Sequence, residues 1–300
     1  MQTKRTWFPY LALAVGVLAL SFSSLFVRWA DAPGVVTSWY RMTLATLFLF
    51  PVFIHQIRKN GFSSASLLVF PLLGGLFTTL DHGFWSTSIE RTFVANATLL
   101  NNISPLWVAL VAVFLWGERL NGKFWIGLVF TLCGAAVVLS SDFIKHPQFS
   151  SGDILAIISS LFYAGYFLVT QRGRAKLDTI TYIWLMSLTS SLLFLGYTRI
   201  SGIPLLGYSK LTYLSFLGAA LVSQIGGYFM ISYALGHLPA SLVSPTMIAQ
   251  PVLTAVLAIP LAGEALSTEQ ILGGTAVLAG IYLVNTAQKK KKPDFSQLSE

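Results

Sequence analysis

Charge is scarce in this chain. Of 300 residues, Asp, Glu, Lys and Arg supply 10% while 55% are apolar, a balance that cannot cover a water-facing surface. A soluble enzyme or a soluble binding domain is excluded on that ground. The formal charge of +8 does not bring nucleic acid back, because the basic residues sit in small clusters beside apolar runs and line no polar face. Cysteine is nearly missing. Cys133 stands alone inside the apolar run WIGLVFTLCGAAVVL, which excludes an intramolecular disulfide and a cysteine zinc cluster. Nucleotide and hydrolase motifs are missing as well: there is no HExxH, GxSxG or GxGxxG, and GERLNGKF at 117–124 carries Phe124 where a phosphate loop needs Ser or Thr. We therefore expect no cofactor, no metal, no catalytic residue and no nucleic-acid partner.

What the chain has is apolar length. Crossing a hydrocarbon core takes about 20 residues of helix. Apolar runs of that order, bounded by Pro, Gly or charge, fall at 8–28, 34–54, 67–88, 92–116, 122–140, 152–171, 179–198, 212–235, 239–262 and 268–287. We number these ten segments spans 1 to 10; the expected class is an all-α membrane protein. Span 1 exceeds the apolar core of a signal peptide, about 7 to 15 residues. With the N-terminus inside, thirteen basic residues are cytoplasmic (Lys4, Arg5, Arg58, Lys59, Arg119, Lys123, Arg172, Arg174, Lys176 and Lys289 to Lys292). Five lie opposite (Arg28, Arg91, Lys145, Arg199 and Lys210). That asymmetry puts both termini in the cytoplasm. The Lys289–Lys292 run is either a plain stop signal or a contact for anionic lipid headgroups.

The chain also repeats itself. A shift of 146 residues pairs Pro105 with Pro251, Ala109 with Ala255, Gly117-Glu118 with Gly263-Glu264, Leu120 with Leu266, Gly127 with Gly273 and Gly134 with Gly280, all in one register. Landmarks of special backbone or charge type do not align that way by chance similarity of apolar helices. The expected units are five-helix repeats at 1–145 and 146–288, followed by a basic cytoplasmic tail at 289–300. Five is odd, so the second repeat must be inverted with respect to the first. Inverted repeats are the architecture of alternating-access carriers, whose substrate binds near the midplane between repeats.

Two segments then carry a resemblance. ANATLLNNISPLWVALVAVFLWGERLNGKFWIGLVFTLCGAAVVL and ASLVSPTMIAQPVLTAVLAIPLAGEALSTEQILGGTAVLAGIYLV both resemble the second part of a repeat in the drug/metabolite transporter superfamily, ten-helix EamA-type branch. Trp39-Tyr40-Arg41 is similar to the aromatic-Arg pair typical of its span 2. The resemblance implies a bacterial inner-membrane carrier with a cavity lined by spans 1, 3, 4, 6, 8 and 9, in a family that often exports amino acids or related metabolites. Substrate identity does not follow from it, nor does a choice between monomer and homodimer.

Polar residues inside spans are the candidates for chemistry. An Asp at a helix centre costs about 2.5 to 3.5 kcal/mol on insertion scales and so faces a wet cavity or a partner. Asp81 lies roughly 10 Å below the outer boundary of span 3, and Arg41 on span 2 lies at about that depth too. Two readings stand for Asp81: a site for a substrate amine or a proton, or an ion pair with Arg41 that fixes packing. His82 is either a proton relay or a hydrogen-bonded packing residue. Neighbours on a helix point about 100° apart, so Asp81 and His82 cannot form one bidentate site, whereas Thr78, Asp81 and Trp85 share a face.

In span 4, Thr98, Asn101 and Asn102 precede Pro105, which removes the donor for the Asn101 carbonyl and leaves backbone polarity for water or ligand. Gln250 stands before Pro251 in the duplicate and Gln224 corresponds to Thr78. Thr78, Asn101, Asn102, Tyr163, Gln224 and Gln250 all count to within a few residues of the midplane, a ring suited to a polar or zwitterionic molecule. The competing reading is interhelical glue, worth about 0.6 kcal/mol per hydrogen bond. Trp85, Tyr163 and Tyr228 are candidates for the cavity wall. Glu118 and Glu264 are expected to accept from amides at the start of the following helix, a structural role. The leading expectation is a secondary transporter exporting a small polar metabolite. Export of hydrophobic cations and an intramembrane enzyme acting on lipid are the alternatives.

Overall fold

In a computed structural model the described residues are 7–61, 64–89, 91–92, 94–139, 150–262 and 266–288, and every regular element among them is helical. Nine helices among these residues are long and apolar enough to cross a membrane: Phe8–Val27, Gly34–Lys59, Ala65–Ile89, Asn96–Phe114, Ser151–Arg174, Thr179–Ile200, Lys210–Leu235, Ala240–Leu261 and Thr268–Ala287. They are spans 1 to 4 and 6 to 10. Span 5 is the apolar helix Gly122–Val138, 17 residues long.

Side chains at the helix starts explain several boundaries, because the first turn of a helix leaves amides without carbonyl partners. Asn121 accepts from Phe124 N at 3.0 Å to open span 5. Asp178 does the same for span 7 through Thr181 N at 3.0 Å, and Ser209 for span 8 through Thr212 N at 3.2 Å. Span 10 opens with a reciprocal capping pair, and span 6 with an acidic side chain that reaches back to the residue before the helix. In span 10, Ser267 N donates to Gln270 Oε1 at 3.0 Å and Gln270 N donates to Ser267 Oγ at 3.3 Å. In span 6, Ser150 N donates to Asp153 Oδ2 at 2.6 Å, and Thr92 donates to Asp153 Oδ1 at 2.7 Å.

The chain forms two compact units, and each draws on both sequence halves. One gathers spans 1, 2, 7 and 8. Its helices pack through small residues and rings: Gly227 meets Leu20, Gly16 meets Ile231, and Phe53 stacks on Trp184 with centroids 3.8 Å apart. The Thr43 and Ser191 hydroxyls bond at 2.7 Å and the Trp184 indole donates to the Thr46 carbonyl at 3.0 Å, so spans 2 and 7 are tied antiparallel.

The other unit holds spans 4, 5, 9 and 10 with the part of span 3 from residue 77 on and the part of span 6 up to residue 168. Spans 5 and 10 are its closest pair. A β-carbon added at Gly127 would lie 2.8 Å from the Gly280 carbonyl oxygen, and one at Gly134 would lie 2.7 Å from that of Gly273. Only glycine lets two backbones approach this far. The two contacts run antiparallel, and the 146-residue shift turns Gly127 into Gly273 and Gly280 into Gly134, so each contact is the image of the other. A local two-fold axis between spans 5 and 10 is what an inverted duplication requires. The fold is thus an all-α membrane protein of ten helices in two inverted five-helix repeats. Apolar clusters flank the axis: Ala109, Phe124, Leu128 and Val284 on one side, Ala135, Ile248 and Val277 on the other.

Both fourth spans are broken near their middle. Span 4 runs as Val94–Asn101 and Ser104–Phe114, and span 9 as Ala240–Met247 and Ala249–Ala262. The breaks, at 102–103 and 248, correspond under the same shift. Pro105 explains the first, since it lacks the amide that would have bonded the Asn101 carbonyl.

Candidate functional site

Spans 3, 4 and 6 meet at Asp81. Span 3 is regular helix here, and residues 77, 81, 84 and 88 share one face by 4 and 3 spacing. That face lies along span 6: Phe77 covers Gly165, Phe84 stacks on Phe162 with centroids 5.6 Å apart, and Ser88 approaches Gly152. Asp81, only 6% exposed, is the polar group in the middle of this apolar seam. Its Oδ1 accepts from Ser159 Oγ at 2.6 Å and from Asn101 Nδ2 at 2.9 Å. Asn101 Nδ2 also lies 2.6 Å from Ser159 Oγ, and Ser159 Oγ lies 3.1 Å from the Asp81 carbonyl oxygen. One turn on, the Trp107 indole donates to Ser160 Oγ at 2.9 Å, a second tie between spans 4 and 6.

Oδ2 of Asp81 faces His82, whose Nε2 is 3.9 Å away. The side chains therefore lean together, closer than the helix angle alone implies. A carboxylate held by a hydroxyl and an amide inside a low-dielectric seam, with an imidazole 3.9 Å away, can bind a cationic donor or a proton.

Asn102 has a different task. Its Nδ2 donates to the Thr98 carbonyl at 2.9 Å, and its backbone amide bonds the same oxygen at 3.0 Å, so it closes the first half of span 4. The second half begins at Ser104-Pro105, with Leu106 N bonded to Ile103 O at 2.9 Å. The break thus offers the carbonyl end of one short helix beside the amide end of the next. Thr78 is buried at 2%, Thr98, Trp85, Tyr163, Gln250 and Pro251 are half-buried, and Tyr163 packs on Phe167 with centroids 4.7 Å apart.

Ten apolar helices in two inverted repeats with paired broken helices are transporter architecture, and sequence comparison decides the family. The EamA-like transporter family matches residues 7–140 and again 150–286. The chain belongs to the EamA-like transporter family. An uncharacterized transporter of Archaeoglobus fulgidus is 24% identical over 276 residues, covering 91% of this chain and 94% of that one. The uncharacterized transporter YetK of Bacillus subtilis is 23% identical and covers 98% of this chain and 96% of its own. The uncharacterized inner membrane transporter YicL of Salmonella typhimurium is 25% identical over 79% of this chain and 78% of its own. A crystal structure of a protein shares the fold, with a TM-score of 0.77, 20% identity, and coverage of 94% of this chain and 98% of that one. This chain is a multi-pass membrane transporter and not an enzyme.

In this EamA-like transporter the remaining candidates fall in the first unit or at span ends. Arg41, 6% exposed on span 2, donates from Nη1 to Ser23 Oγ at 3.2 Å and stands 5.6 Å from the Tyr228 ring centre. Gln224 is fully buried on span 8, and its Nε2 lies 3.3 Å from Ser187 Oγ on span 7. Arg41, Gln224 and Tyr228 belong to one unit, Asp81 and Asn101 to the other.

The Glu118 carboxylate accepts from Ser241 Oγ at 2.8 Å, at the start of span 9 rather than of span 5. Asn121 caps the start of span 5. Glu264 and Lys289–Lys292 lie outside the described residues. Ser159 and Ser160 were missed in the sequence because a serine inside an apolar run carries no signal of its own. Asp153 was legible as part of a Ser-x-x-Asp capping pair.

Proposed function

We propose that this transporter carries a small polar metabolite, an amino acid or related compound, outward across the bacterial cytoplasmic (inner) membrane by alternating access, with both termini cytoplasmic. The observation that carries this reading is the pair of helix breaks at equivalent positions in spans 4 and 9. Broken helices at matching points of two inverted repeats are where carriers hold their cargo, because helix ends supply partial charges of both signs without full ions. The carbonyl end at Asn101 suits an ammonium and the amide end at Ser104 suits a carboxylate. Asn101, Asn102, Thr98 and Gln250 border these breaks, with Thr78, Asp81, Trp85 and Tyr163 on the neighbouring spans 3 and 6. Repeats at 1–145 and 146–288, anionic headgroups near Lys289–Lys292, and a monomer or homodimer belong to the same proposal.

The test is counterflow in vesicles loaded with single amino acids. Exchange of one or more zwitterions, lowered at least tenfold by Asn101→Ala, supports the reading. Absence of zwitterion exchange together with export of hydrophobic cations would replace it with a second reading. That second reading has its own observation: the stacked Phe84 and Phe162 rings beside Asp81 form a surface that attracts organic cations.

A further inference from the structure

Ser159 is placed to serve Asp81 in either protonation state. Its hydroxyl oxygen is 2.6 Å from Asp81 Oδ1 and 3.1 Å from the Asp81 backbone carbonyl, two acceptors served by one hydrogen. With the carboxylate ionised, the hydroxyl donates to Oδ1. With a proton on Oδ1, that O–H donates to Ser159 Oγ, and the serine hydrogen turns to the backbone carbonyl. Asn101 Nδ2 reaches both Oδ1, at 2.9 Å, and Ser159 Oγ, at 2.6 Å, so its hydrogens find acceptors in either state. Neither state strands a buried polar group, a condition an ordinary packing contact has no need to meet.

We propose that Asp81 is a reversible proton site, with Ser159 as the positioning hydroxyl that re-pairs on each change, and that a proton is the coupling ion of this transporter. The inference adds the ion to the reading above and depends on it only for the cargo. The proton that binds Oδ1 comes from water and returns to water on the other side, and no other bond forms or breaks. His82, at 3.9 Å from Oδ2, is the titratable neighbour on the same helix. Span 4 contributes the neutral Asn101 and span 6 the neutral Ser159. Asp153 at the start of span 6 is tied to Thr92 and Ser150. Arg41, at similar depth by residue count, is the charged residue inside the apolar run 34–54 of span 2, and Arg58 and Lys59 close its last turn.

The test is infrared difference spectroscopy of the purified full-length protein between two pH values at which it stays folded. The wild type should show a protonated-carboxyl band that vanishes in Asp81→Asn, shifts in frequency in Ser159→Ala, and keeps its frequency in Ser159→Thr. Arg41→Gln should leave the Ser159 dependence in place. A wild-type spectrum identical to that of Asp81→Asn would overturn the proposal, as would a Ser159→Ala band that has not moved. Because the spectrum needs no substrate, a missing band with intact amino-acid counterflow removes the proton site alone. A present band without counterflow removes only the cargo reading.

Discussion

Span 3 and span 8 hold the same place in the two repeats, yet they manage polarity differently. Span 3 is continuous α-helix over Val69–Ile89 and carries Asp81 and His82. The equivalent positions of span 8 are Gly227 and Tyr228, inside a ten-residue π-helical stretch, Ala219–Tyr228, where Phe229 N bonds the Gln224 carbonyl five residues back. The Asp81 carboxylate is paired, whereas Gln224 Oε1 and Ser223 Oγ are buried without a hydrogen-bond partner among the described residues. Duplication has kept the packing elements alike, in the glycine contacts of spans 5 and 10 and the breaks of spans 4 and 9. It has let the chemistry of spans 3 and 8 diverge. A π-helical turn forgoes regular bonding and is found mostly where function demands it.

The comparison is broken most severely by exchanging its two ends. Gly227→Asp places a β-carbon 2.7 Å from Leu20 Cγ and a charge in a packed seam, so we expect no folded protein in a detergent-solubilised expression screen. Asp81→Ala removes the acceptor shared by Ser159 and Asn101, and counterflow should fall at least a hundredfold, with Asp81→Asn keeping the fold. Next come the shared packing elements. Gly134→Ala puts a β-carbon 2.6 Å from Val277 N, and Gly280→Ala one 2.6 Å from the Gly127 carbonyl. Each should cost about 1 to 3 kcal/mol in a thermal melt, and the two costs should match because the sites are images of one another.

Gly226→Ala sharpens the contrast without crowding, since its nearest neighbours would be 3.5 Å and 3.8 Å away. We expect unchanged or slightly higher stability. Transport should slow several-fold, as alanine favours α over the wider turn of the π-helical stretch. The smallest effect belongs to Ser241→Ala, which removes one hydrogen bond to Glu118 and should lower stability by under about 1 kcal/mol.

Residue order made the spans legible because apolar runs and their polar ends are local properties: the expected starts at 8, 34, 122, 179 and 268 are the observed ones. The inverted repeat was legible for the same reason, since glycine and proline landmarks survive duplication. Asn101 and Asp81 stood out as polar residues at apolar depth, but their meeting could not be read, because it depends on how spans 3 and 4 pack, and Ser159, which completes the cluster, lies 58 residues beyond Asn101. The π-helical stretch also left no mark in the sequence, since its glycine pair serves an ordinary close approach equally well. Glu118 lies next to the start of span 5 in sequence, but its bond to Ser241, 123 residues away, could not be read from sequence because it depends on span 9 beginning where span 4 ends.

On the proposed reading the broken span 4, with Asn101 bridging to Asp81, is where cargo is held. The decisive experiment is counterflow of a panel of radiolabelled amino acids into vesicles, comparing wild type, Asn101→Ala and the Ser241→Ala control. Wild type and control should exchange, and folded Asn101→Ala protein should lose at least tenfold. Full exchange by Asn101→Ala would contradict that reading.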